Sequence, residues 1–255
     1  MAKGSYLGKQ IEKGSLSSPE KLPKVILTPG QRSQFEEGRM LLIDKPLHWT
    51  SFDVVRKIRN TIGIKKVGHA GTLDPLASGL LIICTGKFTK KINDLMKAEK
   101  TYTGSITLGA TTPTYDLESE PQNHKPIDNI SLEMIKGAAA RLTGKILQHP
   151  PVYSAIKKKG TPLYELVRRG EDVETEARPV EVREFLIGSY EPPTIQFSIT
   201  CSTGTYIRSI AHDLGQLLGC GGYLSELRRT VVGEYSVNDA LLPLEFIKEL
   251  SDQKG

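Results

Sequence analysis

Between Gly68 and Gly79 the chain reads GHAGTLDPLASG, and its single carboxylate, Asp74, stands between Leu73 and Pro75 among small and apolar residues. Two roles suit an acid placed this way. It can close a turn or cap a helix, as Asp before Pro often does. Alternatively, Leu73, Pro75, Leu76 and Ala77 give it a partly dry surround in which it needs a cation, and Gly68, Gly71 and Gly79 let a ligand come close to the backbone. A dry, partnered carboxylate is a plausible nucleophile. Arg208, beside Tyr206 and just after the Gly204 turn, can be that cation, or it can be a solvated helix residue or the partner of Asp213. Tyr102 is either a core aromatic or a platform on which a base stacks. His69 is either a satisfied loop histidine or a wedge beside displaced nucleotides.

Other enzyme templates do not fit. Aspartyl phosphotransferases need further acids near the nucleophile, and LDPLAS supplies none. His212-Asp213 has no second cluster of ligands to complete a metal site, so it reads as helix surface. GCGGYL lacks the Lys-Ser/Thr ending of a phosphate-binding loop. Cys84, Cys201 and Cys220 are scattered, which fits neither a disulfide framework nor a zinc site.

The elements that must carry these residues follow from periodicity. RMLLIDKP predicts a strand stopped by Pro46. Thr50 and Asp53 form a capping-box pattern ahead of a helix from Ser51 to about Thr61, with Phe52, Val55, Ile58 and Ile62 inward and an end near Gly63. LLIIC is a short buried strand, and Phe88, Ile92, Leu95 and Met96 mark a second amphipathic helix. KTYTGSITLG alternates as a strand with Tyr102, Gly104, Ile106 and Leu108 on one face. After a polar loop comes a helix with Leu132, Ile135, Ala139 and Leu142 in phase and Gly144 as its C-cap. Residues 150–179, rich in Pro, Gly and charge, read as an excursion from the core. Two strands follow, the second alternating Ile195, Phe197, Ile199 and Cys201, then a helix with Ile207, Ile210, Leu214, Leu217 and Leu218 inward. A strand around Thr230 to Tyr235 and a short helix after Pro243 finish the chain. With no regular strand–helix alternation and no repeat, the fold class is α+β, a mixed, largely antiparallel central sheet flanked by helices. Residues 1–38, polar and aperiodic, read as a loosely ordered extension before a domain spanning 39–255.

Composition limits the partners. The longest apolar run, Leu80 to Cys84, is far below the roughly 20 residues that cross a bilayer. The N-terminus has no apolar signal core, so a soluble cytoplasmic protein is expected. The net charge of +5 is clustered, at Lys157 to Lys159, Arg168-Arg169, Arg228-Arg229 and among Lys87, Lys90, Lys91, Lys97 and Lys100. Such clusters suit a phosphate backbone, and equally a solvated basic surface.

Taken together, GHAGTLDPLASGLL, KTYTGSITLG, PPVYSAIKKKG and CSTGTYIRSIAHDLG with a later LRR occur in an order that closely resembles the bacterial tRNA pseudouridine-55 synthases. That resemblance implies a pseudouridine synthase fold, and an isomerase that detaches uracil from one T-loop uridine of tRNA and rejoins it through C5, with no cofactor and no metal. It assigns Asp74 as the ribose-directed acid, acting either by attack on C1′ or through a glycal. Arg208 is implied as its charge-assisted partner and Tyr102 as the tyrosine that stacks on the base and helps remove the C5 proton. Lys45, as a loop lysine near the pocket, and His69, Tyr206 and Leu227 would line the nucleotide site. The insertion 150–179, with Lys157, Lys158, Lys159, Arg168 and Arg169, would grip the RNA. The target nucleotide must be flipped out, at a cost of a few kcal/mol.

The resemblance implies tRNA as the partner, through its T arm; no obligatory protein partner and a monomer are expected. Many relatives carry a further C-terminal RNA-binding domain, and the sequence near Leu250 leads us to expect none here. An RNA-folding module with incidental catalysis, and a guide-RNA-dependent relative, are the competing classes.

Overall fold

A computed structural model of the chain describes residues 25–252 except 155 and 159, without the side chains of 157, 158, 162, 164 and 168. Thr28 caps the first helix, α1 (Pro29–Glu37), in a complete capping box with Gln31, and Phe35 from this helix is buried edge-on against Phe246. This corrects the expectation of a loose extension for the last part of 1–38. The local capping signal and one aromatic suffice, since burying Phe35 contributes about 1.5–3 kcal/mol. Residues 1–24 lie outside the described residues.

Strand β1 (Met40–Lys45) is followed by α2 (Ser51–Ile62), whose Thr50/Asp53 capping box and left-handed Gly63 C-cap are both present. Its buried face is Ser51, Val54, Val55, Ile58 and Ile62, whereas Phe52, expected inward, is 58% exposed. A hydrogen bond from the Ser51 hydroxyl to the Leu73 carbonyl sets the helix rotation, and with about 100° per residue that turns Phe52 outward.

β2 (Val67–His69) and β3 (Ala77–Thr85) come next, then a 3₁₀ turn over Gly86–Lys91 that runs into α3 (Ile92–Lys97). The single helix expected here is thus two short pieces; Phe88, Ile92 and Leu95 pack inward, but Met96 is exposed. After β4 (Lys100–Leu108), Ser131 caps α4 (Leu132–Arg141). Gly144, at φ +93°, is not that helix's cap but the first residue of an unanticipated edge strand, β5 (Gly144–Gln148). The excursion holds a small hairpin, β6 (Lys157–Lys158) and β7 (Thr161–Pro162), and a short helix, α5 (Leu163–Arg168). β8 (Arg178–Glu191), β9 (Thr194–Cys201), α6 (Ile207–Leu217), β10 (Gly222–Val232), β11 (Tyr235–Ser236) and α7 (Pro243–Asp252) complete the described chain.

The main sheet runs β1-β3-β10-β4-β9-β8-β5, with β2 on β3 and β11 on β10. Every pairing in it is antiparallel except β3–β10, as the fold-class expectation required. β10 begins eight residues before the strand expected at Thr230, because register shifts after Leu224 and after Arg229 break its alternation in the sequence. β3 is buried on both faces: Leu81 and Ile83 meet α2 and α7, while Leu80, Ile82 and Cys84 face a second cluster. That is why LLIIC carries no polar residue. On the β4–β9 side, Ile106, Ile195 and Ile199 pack with Ile135 of α4 and Ile210 and Leu214 of α6. α6 is thereby fixed over the sheet with its N-terminus near the loop that precedes β3.

Candidate active site

The loop bearing Asp74 is tied down on several sides. Ser51 Oγ donates to Leu73 O and accepts from Leu73 N, at 3.1 and 2.9 Å. His48 N donates to Pro75 O at 2.8 Å, and Ala77 N closes the turn onto Asp74 O at 3.0 Å. Leu73 and Ala77 are buried in the α6-side core. The Asp74 side chain remains 39% exposed at the surface of this fixed loop.

Arg208, in the first turn of α6, is only 6% exposed at its side chain. Its Nε lies 2.9 Å from Asp74 Oδ2 and 3.6 Å from Asp116 Oδ2. Nη1 donates to Thr114 O at 3.1 Å and Nη2 to Tyr153 O at 3.2 Å. A buried guanidinium needs this much compensation, and its planar fork allows several partners to be met at once. The helix start that carries it is itself clamped: Gln148 donates to Tyr206 O and accepts from Tyr206 N, at 3.1 and 2.8 Å. Edge strand β5 thus aims Arg208, and Tyr153 brings the start of the 150–179 excursion to the same side chain.

Asp74 and Arg208 open onto a small, solvent-open cleft. Its walls are Leu76 and Ala77 on one side, Leu117 and Asp116 on another, and Leu224 to Leu227 of β10 on the third. A mostly apolar cleft with few, convergent polar groups suits one small, flat ligand moiety. Sequence reasoning missed Asp116 and Leu117, which lie in a loop read as a polar connector. The one signal was an apolar Leu117 amid polar neighbours. Asp116 is held there by a parallel bridge to Leu224.

Leu227 lines the cleft, as expected. Tyr102, Tyr206 and Lys45 lie outside the lining but close enough for the charge of Asp74 to act on their titration. Burial pushes the hydroxyls of Tyr102 and Tyr206 up. Lys45 is not a loop lysine: it is the last residue of β1, fully buried, donating to Pro46 O and Trp49 O, and burial lowers its pKa to about 8. His69 sits on β2 opposite Ile83, outside the lining. Burial lowers its pKa.

The basic clusters divide. Arg228 is engaged by Asp44 through two contacts at 3.0 and 2.6 Å, and Arg229 is buried, so this pair is not a phosphate grip. Lys100 is buried too, donating to Met96 O and Ala98 O. Arg169 is exposed and faces Glu165 at 3.7 Å. Lys157 and Lys158 lie on β6 and Arg168 ends α5, their side chains and the whole of Lys159 being outside the described residues. His212 is no bare surface residue; it stacks on Tyr115 at 4.0 Å between ring centroids. No group of three or more His, Cys, Asp or Glu side chains among the described residues could hold a metal ion, and no helix among them is long and apolar enough to cross a membrane.

The fold is shared with solved structures of other proteins. The chain resembles the structure described as "a Cbf5-Nop10-Gar1 Complex" with a TM-score of 0.65 and 26% identity, over 90% of this chain and 59% of that one. It resembles "H/ACA RNP bound to a substrate RNA containing 2'-deoxyuridine" with a TM-score of 0.64 and 24% identity, again spanning 59% of that chain. Among curated proteins, tRNA pseudouridine synthase B of Flavobacterium johnsoniae is 49% identical over 82% of this chain and 94% of its own length. The proteins of the same name from Chlorobaculum tepidum and Phocaeicola vulgatus are 49% and 46% identical, covering 88% and 96% of their own lengths. The model of the TruB family pseudouridylate synthase N-terminal domain matches residues 59–207, and that of the tRNA pseudouridylate synthase B C-terminal domain matches 208–253. The chain belongs to the TruB family of pseudouridylate synthases. In this chain the second matched segment supplies α6, the central strand β10 and α7, so it is built into the same sheet.

Proposed function

We propose that this protein converts the uridine at position 55 of the tRNA T loop to pseudouridine, with the nucleotide flipped into the cleft beside Asp74. The observation that carries the reading is the 2.9 Å ion pair between Arg208 Nε and Asp74 Oδ2, facing an apolar cleft. Membership of the family supports the isomerase activity, and the names of relatives matched over most of their length support tRNA as substrate.

The isomerisation breaks the C1′–N1 bond, turns the uracil, and forms C1′–C5; C5 loses a proton and N1 gains one, so nothing is oxidised or reduced. Asp74 is directed at the ribose, by attack on C1′ or by assisting a glycal. Arg208 pairs with the carboxylate through Nε and is itself anchored by one bond from Nη1 to Thr114 O and one from Nη2 to Tyr153 O. Leu76, Leu224 and Leu227 enclose the base and offset the few kcal/mol of unstacking. Tyr102, in the same apolar cluster as Leu73 and Ala77, stacks on the base and helps remove the C5 proton. We assign tRNA binding to the 150–179 insertion, and cytoplasmic, monomeric action without an obligatory protein partner or cofactor.

The test is incubation with an unmodified tRNA transcript and chemical mapping of pseudouridine. Conversion at one T-loop uridine is expected, together with its loss in Asp74→Asn at unchanged tRNA affinity. Conversion in that variant at the wild-type rate would sink the reading.

A further inference from the structure

Arg229 heads the fully buried side chains, at 1% exposure, although arginine is rarely placed where water cannot reach. It projects from β10, directly opposite Tyr102 of β4 and in register with Gly79 of β3. Its Nε donates to Leu80 O at 2.7 Å, Nη2 to Gly71 O at 3.2 Å and Nη1 to Thr72 O at 3.4 Å. Among the described residues no carboxylate lies within ion-pair distance of it. A leucine would fill this volume without the desolvation cost of a buried charge. What the guanidinium adds is geometry. It fastens the segment just before Asp74 to the strand just after it, and both to the strand that carries the Leu227 wall. Its charge also acts on the Tyr102 hydroxyl.

We propose that Arg229 is a positioning residue for the isomerisation, setting the height of the Asp74 loop and registering it against Tyr102 and Leu227. This rests on the reading of Asp74 as the reacting acid. Two glycines bound the arrangement. At Gly71, φ +96° strains any side chain on the backbone whose carbonyl is gripped, although an added Cβ would be in ordinary contact with Arg229 Nη1, at 3.5 Å. At Gly79, φ +104°, it would collide with the Arg229 backbone, so β3 closes onto β10 only without a side chain there. Lysine cannot replace the arginine, since one ammonium on a flexible stem does not reach three divergent carbonyls in a fixed plane.

The test compares Arg229→Lys, Arg229→Met and Gly71→Ala with wild type in single-turnover rate, tRNA affinity and urea unfolding. Expected for each folded variant is a rate lower by about 100-fold, the scale of an ångström misplacement, with tRNA affinity within about twofold. Lysine is expected to fare no better than methionine. Gly71→Ala moves one gripped carbonyl while leaving the arginine in place, so it decides the matter if the Arg229 variants do not fold. A folded Arg229→Lys or Gly71→Ala with a wild-type rate, or a loss confined to affinity, overturns the proposal. Asp74→Asn separates the two readings: if it is inactive while the Arg229 and Gly71 variants turn over normally, only the role of Arg229 falls.

Discussion

Arg208 Nε stands 2.9 Å from Asp74 Oδ2, joining the first turn of α6 to the loop before β3 across the mouth of the cleft. The pair is asymmetric: the arginine side chain is 6% exposed and the aspartate 39%. The cation is thus the fixed member, built into the core, and the acid is the member presented to substrate.

Removing the fixed member costs stability as well as activity. Arg208→Met leaves Asp116 buried without its cation, and unfolding free energy is expected to fall by about 3 kcal/mol, measured in urea. Arg208→Lys keeps the charge but abandons either Thr114 O or Tyr153 O, so it is expected to recover part of the stability and little of the turnover.

Asp116 is a second carboxylate on the same guanidinium, at 3.6 Å. In Asp116→Asn, Arg208 is free to shift toward or away from Asp74, and a turnover lower by about 10- to 100-fold is expected with unchanged fold by circular dichroism. The double variant with Asp74→Asn is expected to be no worse than Asp74→Asn alone, because both act through one arginine. Strictly additive losses would contradict this.

Lys45 gives a pH signature. Its folded pKa of about 8 lies below the ordinary 10.5, chiefly through burial. Between those values the unfolded chain binds more protons, so stability rises as pH climbs from about 8 toward 10, and the penalty for the buried charge is fully present below about 8. Lys45→Met lacks this contribution. The difference in unfolding free energy, wild type minus variant, is expected to increase across that window; a flat difference would mean Lys45 titrates normally.

Two glycine-to-alanine changes are expected to have opposite signs. Gly137 lies in α4 with open space where an added methyl group would stand and no positive φ, so alanine there is expected to stabilise by about 0.5–1 kcal/mol. Gly79→Ala meets the Arg229 backbone at φ +104° and is expected to prevent stable folding or cost well over 2 kcal/mol. Thermal melting of both separates the two roles.

Local chemistry is legible along the chain. The Thr50/Asp53 capping box, the alternation of Ile195, Phe197, Ile199 and Cys201, and the apolar stripe of α6 each depend on neighbours within one or two turns, and each is present. Readings failed where a distant contact set the outcome. Phe52 turns outward because Ser51 is tied to Leu73, and β10 hides in an irregular run because its bulges accommodate both β4 and the cleft.

Residue order alone was enough to show that one acid, Asp74, sits in a glycine-bordered apolar loop, that the sheet is mixed, and that Arg208 opens a helix. Which basic residues serve the interior emerged with the folded chain: Arg208 and Arg229 are buried, Arg228 is bound to Asp44, and Asp116 joins the site from a connector. A charge's role depends on what replaces its water. Those replacements, backbone carbonyls of Gly71, Thr72, Thr114 and Tyr153, come from segments that no spacing along the chain brings together.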